Sequence, residues 1–195
     1  MNSLIIKKQD ADSIKTTAEL LAQGKVVIIP TDTVYGFSGI ADDCSKTDEQ
    51  IRKIKGRSET KPLIQLIAKP EDIFLYTDDK IPSELLEKWP GPLTIIVNIK
   101  KELPLFQQMK TVAFRCPGDE WLRKIIGECK KSIFSTSVNR SGQPVLETID
   151  GIKTEFSQEV SLIVEDGDKP GALPSTLVSV IDGDVKILRQ GAVTL

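Results

Sequence analysis

Apolar and polar positions follow two rhythms along this chain, and each change of rhythm marks an element. Ile14, Ala18 and Leu21 recur at helical spacing, and Gly24 follows as a terminator. Val26-Val27-Ile28-Ile29 is an unbroken apolar run that reads as a buried strand. Pro30 stops that strand, because proline has no N–H for a sheet ladder and fixes its own φ. Thr47-Asp48-Glu49-Gln50 has the spacing of a capping box, with Ile51 and Ile54 as the apolar stripe and Gly56 as the stop. Leu63 to Ile67 reads as a strand, Ser83 caps a short helix through Trp89, and Leu93 to Ile99 forms the next strand. Thr111 to Phe114 is a further strand, followed by a helix from about Asp119 to Cys129. Short strands are predicted at Ile133-Phe134-Ser135 and Leu162-Ile163-Val164. Leu177 to Leu188 reads as a hairpin closed by the two-residue turn Asp182-Gly183. Helices alternating with strands, with no repeat or linker, predict one α/β domain over 1–195: a layered α+β-type mixed, twisted sheet flanked by helices.

Composition narrows the class. At 195 residues, 39% hydrophobic and 28% charged, the chain fits one globular domain able to bury a substantial core. No apolar run has the length of a membrane span, and the N-terminus lacks the apolar region of a signal peptide, so a cytoplasmic protein is expected. Cys44, Cys116 and Cys129 are odd in number and widely spaced, which implies reduced thiols and no metal cluster. The chain has no histidine. That removes Ser-His and Cys-His pairs, histidine bases and histidine-ligated zinc. Chemistry must rest on Lys, Arg, carboxylates, hydroxyls, backbone N–H groups or the substrates themselves.

Three polar segments are candidates for that chemistry. Pro30-Thr31-Asp32-Thr33-Val34-Tyr35-Gly36 gathers hydroxyls, a carboxylate and a phenol just past a strand end, where open α/β sheets place ligands. A polar turn that satisfies its own backbone fits the same residues. Arg52, Lys53, Lys55, Arg57 and Lys61 fall within ten residues, a local basic cluster in a chain of formal net charge −2. Such a cluster suits a small anionic ligand better than a long polyanion, and it also fits a solvated helix face. Ser135-Thr136-Ser137-Val138-Asn139-Arg140-Ser141-Gly142 offers hydroxyls and an amide after a strand, either to an anion or to its own backbone. No Walker-type or G-x-G-x-x-G loop occurs.

Taken together, Pro30–Gly36, Lys55-Gly56-Arg57, Lys61-Pro62-Leu63, Pro90-Gly91-Pro92-Leu93-Thr94, Ser137-Val138-Asn139, Ser175-Thr176-Leu177 and Arg189-Gln190-Gly191 resemble the YrdC-type threonylcarbamoyl-AMP synthases, in order and in spacing. The resemblance runs from about Ile14 to Gly191 and matches the short, single-domain form. It implies a YrdC-like fold with a large central cavity. It implies an enzyme that joins L-threonine, bicarbonate and ATP into threonylcarbamoyl-AMP, releasing pyrophosphate with magnesium assisting. Partner proteins would then transfer the threonylcarbamoyl group to the adenosine beside the anticodon of tRNA. Carbamate formation and then adenylate formation both gain from positioning and charge neutralisation, which cations and hydrogen-bond donors supply without histidine.

The same resemblance assigns residues. Thr31, Thr33 and Tyr35 shape a threonine pocket, Arg115 holds the threonine carboxylate, and Ser135 and Ser175 add threonine-side contacts. Lys55, Arg57 and Lys61 hold the triphosphate; Thr111, Ser137, Asn139 and Arg189 lie on the nucleotide side, with backbone contacts from Val145. Many relatives carry a histidine in the strand after K-P-L, where this chain has Gln65, a threonine-side contact that cannot take up a proton near neutral pH. Two other readings are a YciO-type paralogue with weak synthesis and an RNA-binding module associated with translation. The YciO-type group lacks the paired K-x-R and S-x-N elements, which this chain has, and few aromatics interleave with its basic residues.

Overall fold

The computed structural model describes residues 2–56, 63–101, 103 and 109–195, and all side chains within them except that of Asp182. Arg57 and Lys61 lie outside the described residues. The chain runs β1 (Leu4–Lys7), α1 (Ser13–Ala22), β2 (Val27–Ile29), β3 (Gly36–Ile40), α2 (Thr47–Lys55), β4 (Ile64–Leu66), α3 (Ser83–Leu86), β5 (Leu93–Asn98), β6 (Thr111–Arg115), α4 (Glu120–Cys129), β7 (Ile133–Ser137), α5 (Ile149–Phe156), β8 (Leu162–Glu165), β9 (Thr176–Ser179) and β10 (Lys186–Arg189). One mixed sheet holds the ten strands in the order β1-β8-β2-β3-β7-β4-β6-β5-β9-β10.

Strand alternation sorts side chains onto two faces. Val27 and Ile29 pack with Ile40, Leu66 and Ile133 under α1 and α4, through Leu21, Leu122 and Ile125. Ile28 between them faces the other way, into Phe37, Ile51, Ile152 and Phe156 beneath α2 and α5. A third apolar cluster, with Trp89, Leu93, Ile95, Phe114 and Val178, fills the β5–β6–β9 region. Helices therefore cover only part of the first face. Beyond the helices, residues on that face of β3, β7, β4, β6, β5, β9 and β10 form the wall of a cavity.

Several expectations need correcting in detail. Gly36 opens strand β3, where a loop end is expected. The strand predicted at Ile133–Ser135 continues through Thr136 and Ser137 as β7, paired residue for residue with β3, because the ladder Gly36↔Ser137 to Ile40↔Ile133 extends through them. Thr47 forms no capping box: its hydroxyl donates to the Ile40 carbonyl, tying α2 to β3, while Gly56 caps the C-terminus as expected, at φ 61. The helix at Ser83 ends at Leu86, with Pro82 before it. The β9–β10 hairpin turns through one 3-10 turn, Ile181–Gly183, in place of a two-residue loop.

Candidate functional site

The cavity holds about 460 Å3, in the range of small-molecule sites, and the sheet's register rows build its wall. One row carries Leu66 on β4 and Arg115 on β6. The adjacent row runs Ser38, Ser135, Ile64, Ala113, Ile96 across β3, β7, β4, β6 and β5. Beyond it lie Gly36 and Ser137. On the far side Leu177 of β9 pairs with Arg189 of β10. A register shift between Ile187 and Arg189 sets Arg189 against Leu177, on the cavity side, although Ile187 pairs with Val178 of the apolar cluster. Bulges re-aim side chains in this way.

The strand-end loop 30–35 supplies the polar end. Arg115 is buried and reaches it from β6. Its Nη2 meets Asp32 Oδ1 at 2.5 Å, its Nη1 donates to Thr33 Oγ1 at 2.9 Å, and its Nε donates to the Gly91 carbonyl at 3.1 Å. Thr31 Oγ1 donates to the Val34 carbonyl at 2.8 Å and accepts the Thr33 N–H at 3.0 Å, and the two threonine hydroxyls lie 2.9 Å apart. The other Asp32 oxygen accepts the Gly118 N–H at 2.9 Å. Asp32 thus neutralises and fixes Arg115 while leaving two of the guanidinium's five N–H groups for a ligand. The sequence offers the Asp32 carboxylate within the candidate loop without a role of its own; its place between Thr31 and Thr33, as the ion-pair partner of Arg115, supplies one.

On the opposite wall Arg189 donates to the Ser175 carbonyl from Nη2 at 2.9 Å and from Nε at 3.2 Å, and Ser175 Oγ sits 2.7 Å from Thr94 Oγ1. Burial, and then the like charge of Arg115, pull the Arg189 guanidinium below its ordinary value. No carboxylate pairs with it among the described residues. Two cations thus face one cavity, one neutralised by Asp32 and the other lacking such a partner, an arrangement that suits two anionic groups of different demand.

The structure brings Thr31, Thr33, Arg115, Ser135, Ser137, Val145, Ser175 and Arg189 to this cavity. Other expected site residues are placed differently. Gln65 turns away: Ile64 and Leu66 face the cavity, so Gln65 lies on the opposite face, where it accepts a hydrogen bond from Ser132 Oγ at 2.7 Å. Tyr35 borders the cavity, but its hydroxyl is turned away, donating to the Gly167 carbonyl at 2.7 Å and accepting the Asp166 N–H at 2.8 Å. Desolvation pushes that phenol up to about 12. Lys55 is buried and gives its ammonium to the Ser137 carbonyl, to the Asn139 carbonyl at 3.0 Å and to Asn139 Oδ1 at 2.8 Å. Asn139 also accepts from Ser137 Oγ and donates to the carbonyls of Gln143 and Arg140, so its amide shapes its own loop. Thr111 stands two positions before Ala113, on the same face of β6 at its outer end.

A cavity walled by a mixed sheet, with a clamped arginine on one side and a second arginine opposite, defines an α/β protein whose site suits small anionic ligands. The comparisons specify which one. The Sua5/YciO/YrdC family model, described as "Telomere recombination", matches residues 19–191, and the chain belongs to that family. It is 30% identical over 183 residues to a threonylcarbamoyl-AMP synthase of Pseudoalteromonas translucida, covering 90% of this chain and 97% of that relative. It superposes on Pyrococcus abyssi Sua5 complexed with L-threonine at a TM-score of 0.85 and 29% identity, covering 98% of this chain but only 58% of that longer one. Escherichia coli YciO shares the fold, at a TM-score of 0.82 and 22% identity, covering 97% of this chain and 94% of that one.

Proposed function

We propose that the chain is a threonylcarbamoyl-AMP synthase, a nucleotidyltransferase that takes L-threonine, bicarbonate and ATP. The observation that carries this reading is the paired-arginine cavity: Arg115 locked by Asp32 and Thr33 on one side, Arg189 beside Ser175 on the other. The name of the Pseudoalteromonas relative and the threonine complex of Pyrococcus Sua5 support it.

In this reading the free N–H pair of Arg115 holds the threonine carboxylate in a fork, and the hydroxyls of loop 30–35 orient the amine. The threonine ammonium gives a proton to solvent, the amine nitrogen bonds to the carbon of bicarbonate, and water leaves, giving the carbamate. A carbamate oxygen then attacks the α-phosphorus of ATP and the P–O bond to pyrophosphate breaks. Arg189, Ser137 and the backbone at Val145 hold the nucleotide, and Arg57 and Lys61 are the triphosphate cations. Positioning and charge neutralisation supply the acceleration, which cations and hydrogen-bond donors provide without histidine. Magnesium would enter with the triphosphate as part of the nucleotide substrate and would neutralise charge on it. The product passes to proteins that transfer threonylcarbamoyl to tRNA. Among the described residues no helix is long and apolar enough to cross a membrane, and we assign the reaction to the cytoplasm.

The test is pyrophosphate release from ATP by the purified chain. The expected result is release that requires threonine and bicarbonate together. No release with all three substrates present overturns the reading.

A further inference from the structure

Ser38 sits in the middle of β3, fully buried, and its hydroxyl is the one buried side-chain polar atom without a hydrogen-bond partner among the described residues. A buried hydroxyl left unpaired is destabilising, so its presence calls for a cause. Its cross-strand partner is Ser135, on the cavity wall. Gly36, also on the wall, shows where the two hydroxyls point. A Cβ placed on Gly36 would stand 2.7 Å from Ser135 Oγ and 3.8 Å from Ser38 Oγ, so both hydroxyls converge on the notch that this glycine leaves open.

The notch has a defined position between the two halves of the site. Along β7, Ile133 shares the register of Leu66 and hence of Arg115, and Ser137 lies at the other end of the strand, opposite Gly36. Ser135 falls between them, about 7 Å from each row. No charged side chain stands in its row: Ile64, Ala113 and Ile96 continue it.

We infer that the Gly36–Ser38–Ser135 notch is the bicarbonate and carbamate site, an inference that rests on the synthase reading. A carbon that must bond first to an amine held near Arg115 and then, through oxygen, to an α-phosphorus near Ser137 has to lie between those two rows. Bicarbonate carries both an O–H and acceptor oxygens, and serine hydroxyls both donate and accept. Ser135 contacts the ligand directly. Ser38 stands beside it in the same register row, its unpaired hydroxyl aimed at the same notch and free to serve the ligand.

The experiment measures binding of 13C-labelled bicarbonate by NMR saturation transfer, alongside steady-state kinetics, for the wild-type chain and for Ser38→Ala, Ser135→Ala and Gly36→Ala. The expected result is loss of bicarbonate transfer in Ser135→Ala and Gly36→Ala, with a bicarbonate KM raised about tenfold in Ser38→Ala while the KM values for threonine and ATP stay within twofold. Ser38→Ala is also expected to melt no lower than wild type, since it deletes an unpaired hydroxyl, and so it keeps the test meaningful if Gly36→Ala does not fold. Bicarbonate binding and KM unchanged in Ser38→Ala and Ser135→Ala overturn the site while normal turnover leaves the synthase reading standing. Binding that depends on these serines in a chain that releases no pyrophosphate overturns the synthase reading and keeps the site.

Discussion

Arg115 enters the cavity with three N–H groups already engaged, by Asp32, Thr33 and the Gly91 carbonyl. Its remaining pair is thereby aimed, and a charge-assisted contact of this kind contributes about 1.5–3 kcal/mol. Arg115→Ala is therefore expected to raise the threonine KM by about tenfold to a hundredfold and the ATP KM far less; an equal loss for both substrates contradicts the assignment. Tyr35 gives the opposite expectation. Its phenol holds Asp166 and Gly167 and makes no hydrogen bond toward the cavity, so Tyr35→Phe should lower unfolding free energy by about 1–3 kcal/mol with threonine KM within twofold. A denaturant melt beside the kinetics separates the two. The loop hydroxyls were legible as a strand-end cluster and Arg115 through the family resemblance, and Thr31, Thr33 and Arg115 line the cavity. The direction of Tyr35 and Gln65 was not legible, since residue type does not reveal which side of a strand or loop a side chain takes until the register is known.

At the level of elements, the C-terminus of α2 and the turn after β7 form one unit. Lys55 binds the Ser137 and Asn139 carbonyls, Ser141 donates its N–H to the Lys55 carbonyl, and Arg140 reaches the Ile54 carbonyl as well as Glu155 and Glu159. Lys55→Met is expected to reduce both thermal stability and kcat/KM for ATP, because it frees the loop that carries Ser137 and leaves buried carbonyls unpaired; a purely phosphate-binding lysine would change ATP use alone. Across the cavity, a Cβ on Gly191 would collide with the Pro174 carbonyl, so Gly191→Ala is expected to push β10 outward and weaken ATP use through Arg189, read as a raised ATP KM with threonine binding retained. Helices α1, α2 and α4 were legible from periodicity and terminators, and the apolar strands from their runs. Strand β3 was not, because Gly36 and Gly39 are poor strand formers that are kept for close approach to Ser135 and Thr47. Thr136 and Ser137 of β7 resembled a loop for a related reason: a strand face that borders a cavity does not alternate apolar with polar.

For the molecule as a whole, the absence of histidine predicts a pH profile. No side chain has an ordinary titration between pH 6 and 8, so stability should be flat across that interval. The strongly shifted acids lie higher. Desolvation pushes Tyr35 to about 12 from 10.0, Cys116 to about 12 from 9.0 and Cys129 to about 11 from 9.0. Each is raised by folding, so above its unfolded value the unfolded chain releases a proton that the folded chain keeps. The unfolded state then binds fewer protons, and stability falls as pH rises. The stabilisation is complete below about pH 9 and is lost progressively from there to about pH 12. Thermal melts from pH 6 to 11 should therefore show a plateau and then a steep alkaline decline, and Cys116→Ala should flatten that decline because it removes one of the three groups. A melting temperature that moves as much between pH 6 and 8 as between pH 9 and 11 would refute this account of the core.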